Sequence, residues 1–176
     1  MTQPSTGPLA GIRVVDLTTV ISGPVCTMLL ADQGADVVKV EPADGDPTRR
    51  LPGFAAGFFA TFNRNKRSIA IDLKRPEGQA VVHRLVEKAD VLLENFAPGT
   101  IERLKCGWED VRTINPRLIY LSMKGFLKGP YENRGALDET VQMQSGLAYM
   151  TGPPGRPLRA GASIIDILGG VFGVVA

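Results

Sequence analysis

Five short apolar runs recur along the chain and limit what it can fold into: residues 12–17 (IRVVDL), 36–41 (DVVKVE), 68–73 (SIAIDL), 90–94 (DVLLE) and 117–122 (RLIYLS). Each is rich in Val, Ile or Leu and nearly continuous in apolar character, the pattern of a strand buried on both faces. Segments with helical spacing lie between them. Residues 24–33 (PVCTMLLADQ) are followed by Gly34, suited to the position just past a helix end. Residues 76–89 begin on Pro76 and place Val81, Val82, Leu85, Val86 and Ala89 on one face. Residues 100–104, 108–114, 138–149 and 164–176 are also expected to be helical. The first strand, helix and strand make a β-α-β unit of about 30 residues. Strands alternating with helices predict an α/β fold, a parallel sheet with helices on both faces.

Such a sheet binds ligands outside the carboxyl ends of its strands. TTVISGP, EPADGD, ENFAPG and SMKGF, which follow four of the strands, are therefore expected along one edge. Residues 42–65 break the rhythm and read as a long connection that carries function or reaches another subunit. Glu41 ends the second strand, where a ribose-binding acid would stand. The first strand, however, is followed by TTVISGPVC, which lacks the glycine-rich turn that lets a backbone approach a pyrophosphate. A dinucleotide cofactor is set aside on that ground.

At 176 residues the chain is long enough for one domain with a real core. Its 20 Lys and Arg against 18 Asp and Glu give a net charge of +2, too weak a bias for a nucleic-acid partner. Cys26 and Cys106 form no CxxC pair, and His83 is the only histidine, so no metal site is expected. The thiols are read as reduced, in a cytoplasmic protein. His83, beside Arg84 and Glu87, is read as structural. The start MTQPSTGPLAG lacks the apolar core of a signal peptide. Residues 160–176 are apolar but short for a membrane span and carry Asp166 at their centre, so a buried helix is expected and no membrane partner. That run has no stop signal, which predicts a fragment ending inside an element.

Asp166 stands alone in SIIDILGGVFGVVA, with Arg159 the nearest basic residue upstream. An unpaired buried carboxylate is costly. Two readings weigh equally: an Asp satisfied by backbone N–H groups near a helix N-terminus, or a nucleophile held ionised and dry in the same place. NRNKRS, residues 63–68, concentrates Arg64, Lys66 and Arg67. Such a cluster can hold phosphates, but composition alone favours a solvated turn. ENFAPG reads most simply as a strand exit.

Taken together and in order, DLTTVISGPVCTMLLADQGADVVKVEPADGDPTR, NRNKRSIAIDLKRPEG, ADVLLENFAPGTIERL, NPRLIYLSMKGF and PLRAGASIIDILGG resemble the class III CoA-transferases, the family of formyl-CoA transferase and carnitine CoA-transferase. The resemblance covers nearly the whole chain. It implies that residues 1–176 are the N-terminal, CoA-binding, Rossmann-like part of a longer protein. Two such chains would interlock as a homodimer. The smaller domain and the C-terminal part would lie outside this sequence.

The same resemblance implies that Asp166 is the catalytic nucleophile. It would attack an acyl-CoA thioester to give an aspartyl anhydride. CoA thiolate would then give aspartyl-CoA, and an acceptor acid would reverse the sequence. CoA is thus a substrate, and no permanently bound cofactor is implied. The implied CoA contacts are Ser22, Asp72, Leu73, Lys74, Asn95, Phe96, Ala97 and Arg103, with Lys66 and Arg67 as phosphate partners and Asp138 beside the CoA sulfur. Ile21 and Pro42 depart from the polar and basic residues of formyl-CoA transferase. Racemases of the family carry a His immediately before the acidic position, and Leu137 stands there in this chain. The expectation is an acyl-CoA:carboxylate CoA-transferase acting on acyl-CoA and a small carboxylic acid. Its alternatives are a noncatalytic CoA- or nucleotide-binding module, an inactive truncated fragment and, ranked lower, an acyl-CoA racemase.

Overall fold

A computed structural model describes residues 6–176, apart from the side chain of Phe54; the first five residues of the polar N-terminal stretch lie outside it. Each of the five apolar runs yields a strand: β1 (Arg13–Asp16), β2 (Asp36–Glu41), β3 (Arg67–Ala70), β4 (Val91–Glu94) and β5 (Ile119–Ser122). All neighbours pair parallel, in the order β3-β2-β1-β4-β5. The order reverses beside β1, so the exits of β1 and β4 form the switch point at which such sheets bind ligands.

Eight helices connect or flank the described strands: α1 (Ser22–Asp32), α2 (Phe58–Phe62), α3 (Pro76–Val86), α4 (Thr100–Arg103), α5 (Trp108–Val111), α6 (Asp138–Gln144), α7 (Leu147–Thr151) and α8 (Ile164–Val175). Strand side chains alternate between the faces of the sheet. Val15 and Leu92 therefore pack with Val82 and Val86 of α3, while Val14 and Leu93 pack with Cys26 and Ala31 of α1. This is the two-faced α/β architecture that the apolar runs imply.

Two segments differ from the sequence expectation. Residues 138–149 form two helices rather than one, because Gly146 adopts φ +84° between α6 and α7. A residue in the left-handed region cannot continue a right-handed helix. Residues 42–65 are not the structureless connection that a break in rhythm suggests, and their first residues, 42–47, contribute to the wall of a cavity at the ends of the strands. They form two short 3-10 turns, at Pro47–Arg50 and Gly53–Ala55, and then α2. Glu41 anchors them, accepting from Arg49 Nε at 2.7 Å and from the Asp46 N–H at 2.8 Å.

Helix α8 lies against α1 at a distance set by glycine. A Cβ on Gly170 would stand 2.7 Å from Val25 Cγ1 and 2.8 Å from the Ser22 carbonyl oxygen. One on Gly173 would meet Cys26 Sγ at 3.1 Å. Asp166, Gly169, Gly170 and Gly173 recur at helical spacing and share one face. The face that packs on α1 is thus the face that carries Asp166. Gly170→Ala should destabilise the fold by about 1–3 kcal/mol through overpacking. A urea melt of the full-length protein checks this, and an unchanged midpoint would refute the close contact.

Candidate active site

The chain leaves β1 through a turn built on buried polar groups. Asp16 is fully buried and accepts the Thr18 N–H at 2.8 Å and the Thr27 hydroxyl at 2.7 Å. It also pairs with Lys66 Nζ at 3.0 Å. Burial works against its charge, but Lys66, then Lys39 and the two threonine hydroxyls, outweigh burial and hold its carboxyl below the ordinary range. Lys39 donates to the Thr18 carbonyl at 2.7 Å and pairs with Asp46 at 3.0 Å. Asn95, at the exit of β4, brackets the next residue. Its Oδ1 accepts the Thr19 N–H at 2.9 Å and its Nδ2 donates to the Thr19 carbonyl at 2.8 Å.

Beyond these clamps Val20 takes φ +68°. For a β-branched residue this conformation costs about 1–3 kcal/mol and persists only where neighbours impose it. The clamped turn places Ser22 at the start of α1, half-buried at the rim of a cavity.

That cavity has a volume of about 330 Å³ and is walled by Ser22, Asn95, Ala97, Asp138 and Asp166, among others. A second, of about 530 Å³, covers the ends of the first three strands, with Leu17, Val40, Ile71 and residues 72–74 in its walls. Thr19 and Phe96 line both, so the two spaces adjoin. The sheet thus brings together segments that are far apart in sequence, as the strand-exit argument requires.

Asp166 sits in the first turn of α8, half-buried. Among the described residues none donates a hydrogen bond to its carboxylate. The backbone donors at this helix start go elsewhere: Asp138 Oδ1 accepts the Ile165 N–H at 2.8 Å and the Asp166 N–H at 3.2 Å. Asp138 Oδ2 accepts from Gln142 Nε2 at 2.5 Å. Gln142 in turn donates to the Ala162 carbonyl at 3.2 Å and accepts the Ala160 N–H at 2.7 Å. Burial, and then the charge of Asp138, push the Asp166 carboxyl up to about 6, with Arg159 pulling the other way. This differs from the expected carboxylate held by N–H donors. Asp166 remains mostly ionised at neutral pH, but it is a stronger base than an ordinary carboxylate and therefore a better nucleophile.

The other expected contacts divide. Ser22, Asn95, Ala97 and Asp138 line the first cavity, Asp72, Leu73 and Lys74 the second, and Phe96 both. Arg103 is exposed and donates to Thr100, a wall of the second cavity. Lys66 and Arg67 are not brought to either cavity wall. Lys66 is buried on Asp16, the Pro24 carbonyl and Asn63. Arg67, at the start of β3, binds Asp36 at the start of β2, the end of the sheet opposite the ligand edge. Glu41 is consumed by Arg49, Ser68 and the Asp46 N–H, leaving no carboxylate oxygen for a ribose. His83 meets the Lys105 carbonyl at 2.7 Å. Cys26 and Cys106 are unbridged and buried.

The sequence reading did not single out Lys39, Glu94, Lys124 or Gln142. Glu94 is fully buried and receives Lys124 at 2.7 Å and the Phe96 N–H at 2.9 Å, fixing the ENFAPG turn. The available signals were a lysine inside an apolar strand and a glutamine one helical turn after Asp138.

The model of CoA-transferase family III matches residues 9–176. The chain belongs to that family. The succinate–glutarate CoA-transferase of Agrobacterium fabrum is 44% identical, with 96% of this chain and 46% of the relative covered. A formyl-CoA:oxalate CoA-transferase of Bradyrhizobium diazoefficiens is 46% identical over 92% of this chain and 39% of its own length. Among solved structures, a CAIB/BAIF family protein from Brucella suis superposes with a TM-score of 0.89 at 38% identity, over 96% of this chain and 47% of that one. The Rv3272 protein of Mycobacterium tuberculosis gives 0.88 at 35%, over 97% and 49%. The chain thus spans less than half the length of these family relatives. The range of the family model includes Asp166, and the solved relatives confirm the parallel-sheet architecture as that of the family fold.

The raised affinity of Asp166 for its proton has a consequence for stability. A carboxyl that binds its proton more tightly when folded weakens the fold as pH rises from its ordinary value of 3.8 to about 6, and the deficit is complete above that. Asp166→Asn should therefore stabilise the full-length protein at pH 7.5 by about 1–2 kcal/mol, allowing for partial exposure of the site. The gain should vanish at pH 3. Thermal melts at the two pH values check the sign.

Proposed function

We propose that the chain is the N-terminal, CoA-binding and nucleophile-bearing part of an acyl-CoA:carboxylate CoA-transferase. The observation that carries this reading is the single cavity in which Asp166 of α8 meets the exits of β1 and β4, at Ser22 and at Asn95–Ala97. The adenosine of CoA would occupy the larger apolar cavity, with Lys74 and Arg103 at its margin for phosphate. Its pantetheine arm would pass Thr19 and Phe96 and deliver the thioester to Asp166. Lys66 and Arg67, engaged elsewhere, have no part in this.

A carboxylate oxygen of Asp166 attacks the thioester carbonyl carbon. The C–S bond breaks, and CoA leaves as the thiolate, giving an acyl-aspartyl anhydride. The thiolate attacks the aspartyl carbonyl, forming aspartyl-CoA and releasing the first acid as its carboxylate. The acceptor carboxylate then expels CoA thiolate to form a second anhydride. Attack of that thiolate on the new acyl carbonyl yields the new acyl-CoA and restores Asp166. No water enters, so the thioester's energy is conserved through each step. The acids would be small organic carboxylates. The full-length protein would be a cytoplasmic homodimer, with chains interlocked as in the family it resembles. No helix of the described residues is long and apolar enough to cross a membrane.

Racemisation is the less suited chemistry. It needs bases on both faces of an α-carbon. Leu137 is exposed at the cavity where the racemases carry histidine, and His83 is not among the residues lining it.

In the full-length protein, Asp166→Ala should lower CoA exchange by at least about a thousandfold while leaving CoA affinity within about threefold. Acyl-CoA with hydroxylamine should mark Asp166 of the wild type as a hydroxamate. Near-normal turnover in the folded variant would sink the assignment. Rapid deuterium wash-in at the α-carbon of an α-methylacyl-CoA, without CoA transfer, would favour a racemase.

A further inference from the structure

Helix α6 presents two buried polar side chains one turn apart, Asp138 and Gln142, to the segment that leads into α8. Together they make four hydrogen bonds to the backbone of residues 160–166. Gln142 takes the Ala160 N–H and gives to the Ala162 carbonyl, and Asp138 takes the N–H groups of Ile165 and Asp166. The bond between them, Gln142 Nε2 to Asp138 Oδ2, orients each for its task. Gln142 is fully buried, and none of its side-chain hydrogen bonds points to a ligand. Buried amides of this kind are costly unless every donor and acceptor is matched, as these are.

We propose that Asp138 and Gln142 act as a paired positioning device for the transferase reaction, holding the backbone that carries Asp166 while Asp138 supplies the charge beside the nucleophile. The proposal rests on Asp166 as nucleophile. It assigns Asp138 a place against the backbone of α8 rather than against the CoA sulfur, and it gives Gln142 a role in turnover. The charges acting on Asp166 are few. Asp138 of α6 raises its carboxyl and Arg159 of the preceding segment lowers it. Helix α1 meets the same face of α8 with Ser22, Val25 and Cys26, and the segment after β5 with Met123. None of these is charged, since burial pushes the Cys26 thiol up to about 12. Lys124, Glu132 and Arg134 line the cavity but are not among the charges that shift Asp166.

The pair can be tested by separating position from charge in the full-length protein. Gln142→Met keeps the bulk and removes the hydrogen bonds. It should lower kcat by about ten- to a hundredfold, with KM for acyl-CoA nearly unchanged and the pH midpoint of kcat unmoved. Asp138→Asn removes the charge, so the midpoint should fall from about 6 towards the ordinary aspartate value. It also sets one amide donor against another, so kcat should drop as well.

Wild-type kcat in Gln142→Met would overturn the proposal. So would an unmoved midpoint in Asp138→Asn, or effects confined to KM for acyl-CoA. Amide hydrogen exchange supplies a readout that needs no turnover. The Ala160 amide should exchange at least about tenfold faster in Gln142→Met at a temperature where the fold is intact. An unchanged exchange rate would refute the clamp even if the wild type showed no CoA transfer, an outcome that would by itself sink only the functional reading.

Discussion

The approach of α8 to α1 is the contact on which the rest of the site depends. Helix α8 could not lie where it does if Gly170 carried a side chain, because the added carbon would fall within van der Waals radii of Val25 and of the Ser22 backbone. The register of that contact fixes the rotation of α8. With the glycine face turned to α1, Asp166 is turned to the mouth of the β1 exit, one helical turn above Gly169 and Gly170. The opposite face leaves Leu168, Phe172 and Val175 exposed. A carboxylate placed by a helix–helix packing surface is held more firmly than one placed by a loop, which would suit the proposed reaction, in which one carboxylate receives two different acyl groups.

The acids of this sheet edge differ chiefly in who donates to them. Asp16, Glu41 and Asp46 expose less surface than Asp166, and burial is the largest influence on each. In the first three, hydroxyls, backbone N–H groups and cations overcome it, and Glu41 is held at about 2. Such carboxylates are weak bases and bind the scaffold together. Asp166 is deprived of the same help, because Asp138 takes the N–H groups that a first-turn Asp could otherwise have used. The distinction between structural and reactive carboxylates is thus made by the allocation of donors, and burial alone would not predict it.

Much of the fold was legible in the sequence, and the reasons are physical. A strand buried on both faces must be apolar at nearly every position, which made β1, β2 and β4 plain; β3 and β5 are equally apolar in sequence but lie exposed at the sheet edges, which the runs did not announce. Asp166 was conspicuous because a charge in such a run needs an explanation, although the residues alone left two explanations open. The resemblance to a family is what favours the nucleophile. The breaks were less visible. Gly146 ends a helix only through its left-handed φ, a property that the same residue need not express, as Gly170 shows inside α8. Lys66 and Arg67 were implied as phosphate partners by the resemblance, and their place in the sequence does not say which end of a strand a side chain serves. Lys66 runs to Asp16 and Arg67 to Asp36, and neither partner is near it along the chain.

The strained turn at Val20 adds a final constraint. A left-handed valine would relax if its neighbours were released, so the Asn95 bracket on Thr19 and the Lys39 bond to Thr18 are required by the conformation they flank. These clamps come from β2 and from the exit of β4, the two strands that pair with β1. The turn that opens the cavity is therefore tied to the register of the central sheet. A slip of either strand would carry its clamp away from the turn. Local strain of about 1–3 kcal/mol is a modest part of a fold's total stability. It is nevertheless held by bonds from both strands that flank β1, so the shape of the turn depends on the pairing of the sheet.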